Sequence, residues 1–223
     1  LCISVKNQSN KQIITWGVGK FTTDRTDVTY IECKDEKHLV MEFMKFWLKN
    51  YPDVITGWNT KFFDLPYLMN RIKLLVGHKV ASRMSPWNLI SSEQIIIRGR
   101  TNTYYTLYGI AMLDYLDLYK WFIPARQESY RLGFIGEVEL GETKRENPYG
   151  IFKDFYTKDF QKFVEYNIQD VEIVDGNLGP PTLVFHGKAK EFFEKSGACR
   201  VHLSITHSSE HAVAVVVLEG KSG

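Results

Sequence analysis

Three observations predict an α/β domain, a mixed sheet flanked by helices. β-branched runs separated by polar turns open the chain, two later stretches space their apolar residues as helices do, and a strand passes straight through a polar turn into a helix between Asp53 and Arg71. The composition fits one sizeable core, with 44% hydrophobic and 14% aromatic residues in a chain of 223.

Leu1–Val5 and Gln12–Val18 read as a hairpin around a polar turn, and Val28–Cys33 as a further strand. Asp35 is placed to cap a helix from Glu36 to Lys49, in which Val40, Phe43, Met44 and Trp47 fall on one stripe before Pro52. A strand leads into Thr56–Arg71, where Asn59, Phe63 and Asp64 sit at a strand-to-helix turn. Leu65, Leu68, Met69, Ile72 and Leu75 then carry a second helix to Gly77.

His78–Glu93 reads as irregular, and Gln94–Arg100 and Tyr104–Leu113 as strands paired across Thr101-Asn102-Thr103. Asp114–Trp121 starts as a strand end and becomes a short helix, a second small helix opens at Ser129-Tyr130, and Glu137–Asn147 reads as a charged loop. Lys158–Asp175 is an amphipathic helix with Phe160, Phe163, Val164, Asn167, Ile168 and Val171 on one face. On a neighbouring face Tyr166 and Asp170 stand four residues apart, so their side chains point the same way.

At Gly176 the composition changes. Gly176–Pro181 halts any helix and makes a domain boundary, so residues 1–175 form the main domain and 182–223 a short β-α-β-β tail. The tail is expected to hold strands at Leu183–Phe185, Arg200–Thr206 and His211–Glu219, with a helix at Gly187–Ser196.

A net charge of +2 gives no overall signature of nucleic-acid binding, so such a surface has to be local. Arg71–Arg100 supplies one, with six Lys/Arg against the single acid Glu93. The alternative reading of that stretch is a solvated strand edge. Three scattered cysteines match no disulfide framework, which points to a reducing cytoplasm, and no apolar run is long enough to span a membrane. The chain starts inside a strand at Leu1, and the natural N-terminus is expected upstream.

Two constellations carry chemistry: Asn59-x-x-x-Phe63-Asp64 and Tyr166-x-x-x-Asp170. Carboxylates are hard oxygen ligands for Mg²⁺ or Mn²⁺, and two such ions roughly 4 Å apart activate water and neutralise the leaving oxygen of a phosphodiester. Asp64 and Asp170 are the candidate ligands, Tyr166 can orient the attacking water through its hydroxyl, and Phe63 can stack on a terminal base. The competing readings are a helix cap for Asp64 and a surface pair for Tyr166 and Asp170.

These motifs, with Ser85-Pro86-Trp87, Leu113–Lys120 and Ser129-Tyr130-x-Leu132 in order between them, resemble the proofreading domain of family B DNA polymerases, most of all T4-type phage members. The resemblance covers residues 1–175. It implies a ribonuclease H-like fold and removal of 3′-terminal nucleotides from single-stranded DNA with two divalent metals. By position it makes Asp64 and Asp170 metal ligands and Tyr166 the residue that places the water, while Asn59 and Phe63 line the site for the primer terminus.

The family's Asp-x-Glu motif would lie upstream of Leu1, so the two-metal site is expected to be incomplete in this chain and cleavage feeble. Asp114, at a strand end, reads as a helix cap rather than a substitute ligand. The polymerase domain of such proteins would lie beyond Asp175, and synthesis of DNA is not expected here.

The tail is similar to the C-terminal part of holo-acyl-carrier-protein synthase, a Mg²⁺-dependent 4′-phosphopantetheine transferase, which would put His207 near a coenzyme A site. Strand alternation puts His202 and His207 on opposite faces, which argues against a zinc site with His211. The competing functional readings are a non-catalytic single-strand-binding remnant in a chimeric reading frame and a synthase fragment with a passenger in front.

Overall fold

The computed structural model describes residues 1–97, 99–123, 126–141 and 147–175, together with the backbone of 198–207 and 212–220. It divides into two compact units, Leu1–Leu178 and Gly179–Gly223.

The first unit is mixed α/β. Strands β1 (Cys2–Lys6) and β2 (Ile13–Gly17) pair antiparallel, as the hairpin reading expects, and β3 (Val28–Glu32) joins β2 in parallel. Alternation along β2 builds two cores. Trp16 packs against α1 (Glu36–Lys49), its ring edge-on to Phe43 at 5.5 Å, in the larger core with Trp47, Met69 and Ile72. Ile13, one strand face over, packs with Val28, Val164 and Ile168 in a smaller core against the last helix of the unit. The sheet is therefore covered on both faces. Each fully buried large side chain among these contributes about 1.5–3 kcal/mol.

Asp35 caps α1 as expected, accepting from the backbone N–H of His38 at 2.7 Å. Then come β4 (Val54–Gly57) and α2 (Asp64–Val76), which ends at Gly77 with φ +95. Leu65, Met69 and Ile72 of the predicted stripe are buried.

Four readings need correction. The stretch after Gly77 is not irregular throughout. It forms the short α3 (His78–Ala81) and a 3₁₀ turn (Ser82–Met84), held by Trp47 Nε1, which donates to the Met84 carbonyl. The long hairpin turns at Gly99, not at 101–103: β5 (Ile90–Ile97) and β6 (Arg100–Leu107) pair Ile97 with Arg100, and Thr101-Asn102-Thr103 lies within β6. Gly99 takes φ +74, a conformation open to glycine at little cost, and this outweighs the polar look of Thr-Asn-Thr. Residues 111–113 therefore belong to a separate strand, β7 (Ala111–Asp114), which pairs in parallel with β4.

Asp114 caps α4 (Tyr115–Phe122), and α5 (Leu132–Leu140) extends into the stretch read as a charged loop before Gly141 stops it at φ +68. The amphipathic helix expected at Lys158–Asp175 is α7 (Phe160–Asp175), and a short α6 (Phe152–Lys158) precedes it.

In the second unit β8 (Ala198–His207) and β9 (Ala212–Gly220) pair antiparallel. The expected junction at 176–181, the strand at Leu183–Phe185, the helix at Gly187–Ser196 and His211 lie outside the described residues. Among the described residues no helix is long and apolar enough to cross a membrane.

Candidate functional site

The site is built on the carboxyl ends of two parallel strands. Gly57 at the end of β4 lies beside Asp114 at the end of β7. The chain after β4 folds back over Asp114, whose side chain is buried. Its Oδ1 accepts the backbone N–H of Asn59 at 3.0 Å and of Leu116 at 3.0 Å, and its Oδ2 that of Lys61 at 2.9 Å. One carboxylate thus ties the turn after β4 to the start of α4, and carboxylates holding several backbone donors are strong anchors.

Asn59 supports the same turn in another way. It adopts φ +62, which asparagine tolerates better than most residues, and its carbonyl accepts from Phe62 and Phe63 N–H.

Asp64 is the first residue of α2, not its cap. Phe63 occupies the cap position and makes no side-chain capping bond. The helix-cap reading of Asp64 is thus replaced by a place in the first turn, where a carboxylate complements the helix dipole. Thr60 Oγ1 donates to Asp64 Oδ2 at 3.2 Å. Thr60 reaches that position because Gly57 has no side chain, since a Cβ there would stand 2.1 Å from Thr60 Oγ1.

The pKa of Asp64 is raised above the ordinary carboxylate value, first by the protein mass around it. The Thr60 hydrogen bond opposes this, and the charges of Asp114 and Asp170 raise it further. The side chain keeps solvent-accessible surface, so it stands at the mouth of the site rather than inside the core. The influence of Asp170 is smaller than that of burial, Thr60 or Asp114, but it is informative. It means that the two carboxylates named from sequence, more than a hundred residues apart, lie within electrostatic reach of each other.

Tyr166 and Asp170 come from α7. The Tyr166 ring packs edge-on against Phe152 and Phe155, each at 5.8 Å, and one carboxylate oxygen of Asp170 is shielded from solvent. Tyr166 also lines an open cleft of about 710 Å³ with Trp58, Asn59, Tyr130 and Arg131. Trp58 braces the cleft by donating from Nε1 to the Tyr130 carbonyl at 3.0 Å. Phe63 is 64% exposed, an unusual position for so large an apolar ring.

Sequence reasoning did not single out Trp58 or Arg131 and gave Asp114 only its capping role. The available signal for Asp114 was its place at a strand end immediately before a helix, the topological counterpart of the Asp64 turn.

The basic stretch is partly used within the fold. Arg71 forms a two-pronged ion pair with Glu36, and Lys73 donates to the Tyr105 hydroxyl at 2.9 Å above that ring. Lys61, outside the predicted stretch, sits over both Phe62 and Tyr104 at 5.2 and 5.0 Å, beside the Asp64 turn.

As a donor set for a hard dication the site fits in kind but is small. Asp64 and Asp170 carry oxygen donors of the kind such an ion takes, whereas both oxygens of Asp114 accept backbone N–H groups. Among the described residues no group of three His, Cys, Asp or Glu side chains is arranged to hold a metal.

The family model for the exonuclease domain of DNA polymerase family B matches residues 2–135. The chain belongs to DNA polymerase family B, through its exonuclease domain. The match includes the Asp64 turn, Asp114 and the Trp58–Tyr130 brace, and it ends before α7. Among relatives, the DNA-directed DNA polymerase of Escherichia phage RB69 is 38% identical over 146 residues, and that of Enterobacteria phage T4 is 34% identical over 148.

These alignments take in 65% and 66% of this family B chain but 16% of either polymerase, so it spans about a sixth of the length of the curated relatives it matches. A holo-[acyl-carrier-protein] synthase from Syntrophus aciditrophicus is 47% identical over 53 residues, covering 24% of this chain and 41% of that protein.

Proposed function

We propose that residues 1–175 are a ribonuclease H-like proofreading domain that hydrolyses the 3′-terminal phosphodiester of single-stranded DNA. The observation that carries this reading is that Asp64, on the turn at the carboxyl ends of two parallel strands, lies within electrostatic reach of Asp170 on α7. Open α/β sheets bind ligands at that end. Membership of the exonuclease family supplies the reaction class.

In this reading Asp64 and Asp170 hold a divalent cation, Mg²⁺ or Mn²⁺, which when bound neutralises phosphate charge and lowers the pKa of water. Tyr166, braced by two phenylalanine rings, directs the attacking water with its hydroxyl. Asn59 and exposed Phe63 receive the terminal nucleotide, Phe63 by stacking on its base. Asp114 touches no substrate and holds the turn that presents Asp64. Residues 176–181 are then a junction to a separate tail, 182–223, in which His207 is the candidate coenzyme A-site residue.

The test is release of nucleotide from a 3′-labelled single strand with Mg²⁺ or Mn²⁺. We expect slow release by the chain as it stands, abolished in Asp64→Ala and Asp170→Ala. Release that survives both substitutions would remove these residues from the mechanism. A second reading, a single-strand-binding module without cleavage, is favoured by the small donor set. It predicts salt-sensitive binding with no release under any metal.

A further inference from the structure

A polar chain crosses the apolar seam between α7 and the sheet. Ser4 and Thr15 are directly opposed across β1 and β2, and their hydroxyl oxygens are 2.8 Å apart. Ser4 Oγ donates to Asn167 Oδ1 at 2.6 Å. The single Ser4 proton is committed to Asn167, so Thr15, which has no exposed surface, is the donor to Ser4. The bonds therefore run in one direction, from Thr15 through Ser4 to Asn167.

On either side of Asn167 the seam is apolar, with Val164 and Ile168 against Ile13 and Val28. Such packing sets how close a helix lies, and a directional bond adds a constraint on its rotation. A hydrogen bond with a short side chain is satisfied at one angle, in the way that a single buried Asn fixes register in coiled coils. Two further ties of α7, Gln161 to Thr22 and Glu172 to Arg25, are solvent-exposed and correspondingly weak.

Asn167 follows Tyr166 by one residue and precedes Asp170 by three. At roughly 100° per residue, its angle dictates theirs. Side-chain tips lie roughly 5–6 Å from a helix axis, so a turn of about 20° moves them by about 2 Å. A displacement of that size is enough to disable a catalytic arrangement.

We propose that the Thr15–Ser4–Asn167 hydrogen-bond chain is a rotational lock on α7, with Asn167 the positioning residue that sets where Tyr166 and Asp170 stand. The lock is a property of the fold. Its consequence for nuclease chemistry rests on the site reading above.

The experiment uses the full chain and the variants Asn167→Leu and Ser4→Ala, alone and together. The readout independent of metal is the NMR position of the Tyr166 ring, which lies edge-on to Phe152 and Phe155. Its ring-current shift is expected to change in each single variant and no further in the double variant, while Trp16 and Phe43 signals in the other core stay in place. An unmoved Tyr166 in both single variants, or additive shifts in the double, would overturn the lock. If Asn167→Leu does not fold, Ser4→Ala decides the matter.

Mn²⁺ alone is the second probe. In the unsubstituted chain it should broaden signals of Asp64 and Asp170, with affinity falling roughly tenfold or more in the variants. Absence of that broadening would remove the metal-site reading but leave the lock to be judged on Tyr166. Unchanged Mn²⁺ affinity beside a moved Tyr166 would overturn the claim that Asn167 positions Asp170.

Discussion

The carboxylate of Asp114 holds the backbone N–H of Lys61 at 2.9 Å across a gap of 53 residues. With the Asn59 and Leu116 donors, this makes Asp114 the residue on which the Asp64 turn is hung. Asp114→Ala should leave three donors without their acceptor and lower stability by about 2–3 kcal/mol, read as a lower urea midpoint. Asp114→Asn should recover only part of that, because an amide has one acceptor oxygen where the carboxylate has two. A fully stable Asp114→Ala protein would mean that the turn is held by something else.

Asp64 should behave in the opposite way. Its pKa is raised in the folded chain, chiefly by desolvation from the surrounding protein and then by Asp114 and Asp170, against the Thr60 hydrogen bond. Between its unfolded and folded pKa values the folded state binds more protons than the unfolded one, so stability falls as pH rises through that window. Asp64→Asn is therefore expected to raise the urea midpoint at pH about 7 and to give no such gain at pH about 3, below the ordinary carboxylate range. A lower midpoint at neutral pH would show that the charge at Asp64 is stabilising. This combination, a residue whose removal stabilises the fold, is a common mark of function.

Much of this was legible in the sequence, and the losses have physical causes. The stripe in α1, the cap at Asp35 and the stop at Gly77 rest on local rules, and the structure follows them. The turn at Gly99 was missed because a polar Thr-Asn-Thr outweighed one glycine flanked by arginines. Only pairing across the two strands reveals that Thr101-Asn102-Thr103 faces Gln94–Ile96.

At the site, Asp64, Tyr166 and Asp170 could be named from spacing and resemblance, and the structure brings Asp64 and Asp170 into electrostatic reach. The service of Asp114 to Asn59 and Lys61 depends on β4 and β7 being neighbours, a long-range fact that no local pattern encodes.

Gly57 offers a test of how Asp64 is aimed. A methyl group at this position would stand 2.1 Å from Thr60 Oγ1 and force the Thr60 side chain to turn away. The bond from Thr60 to Asp64 would then be lost, and with it the interaction that opposes the raised pKa. Gly57→Ala should push the Asp64 carboxyl higher still, as Thr60→Val should, with a stability cost of roughly 1 kcal/mol or less. Carboxyl titration followed by ¹³C NMR reads this directly. An Asp64 titration unchanged in both variants would show that Thr60 has no part in setting its charge.

Phe63 should separate binding from folding. Its ring is 64% exposed and it caps α2 without a side-chain bond, so Phe63→Ala should change stability by no more than about 0.5 kcal/mol. If the ring stacks on a terminal base, the same substitution should weaken single-strand binding by roughly 1–3 kcal/mol. Phe63→Trp, which keeps a stacking face, should retain most of the affinity. Fluorescence anisotropy with a labelled oligonucleotide at fixed salt measures both variants, and the salt must be fixed because phosphate contacts alone make affinity salt-dependent. Equal affinity of Phe63→Ala and the unsubstituted chain would assign the exposed ring to another surface and leave Asn59 as the remaining candidate for contact with the terminal nucleotide.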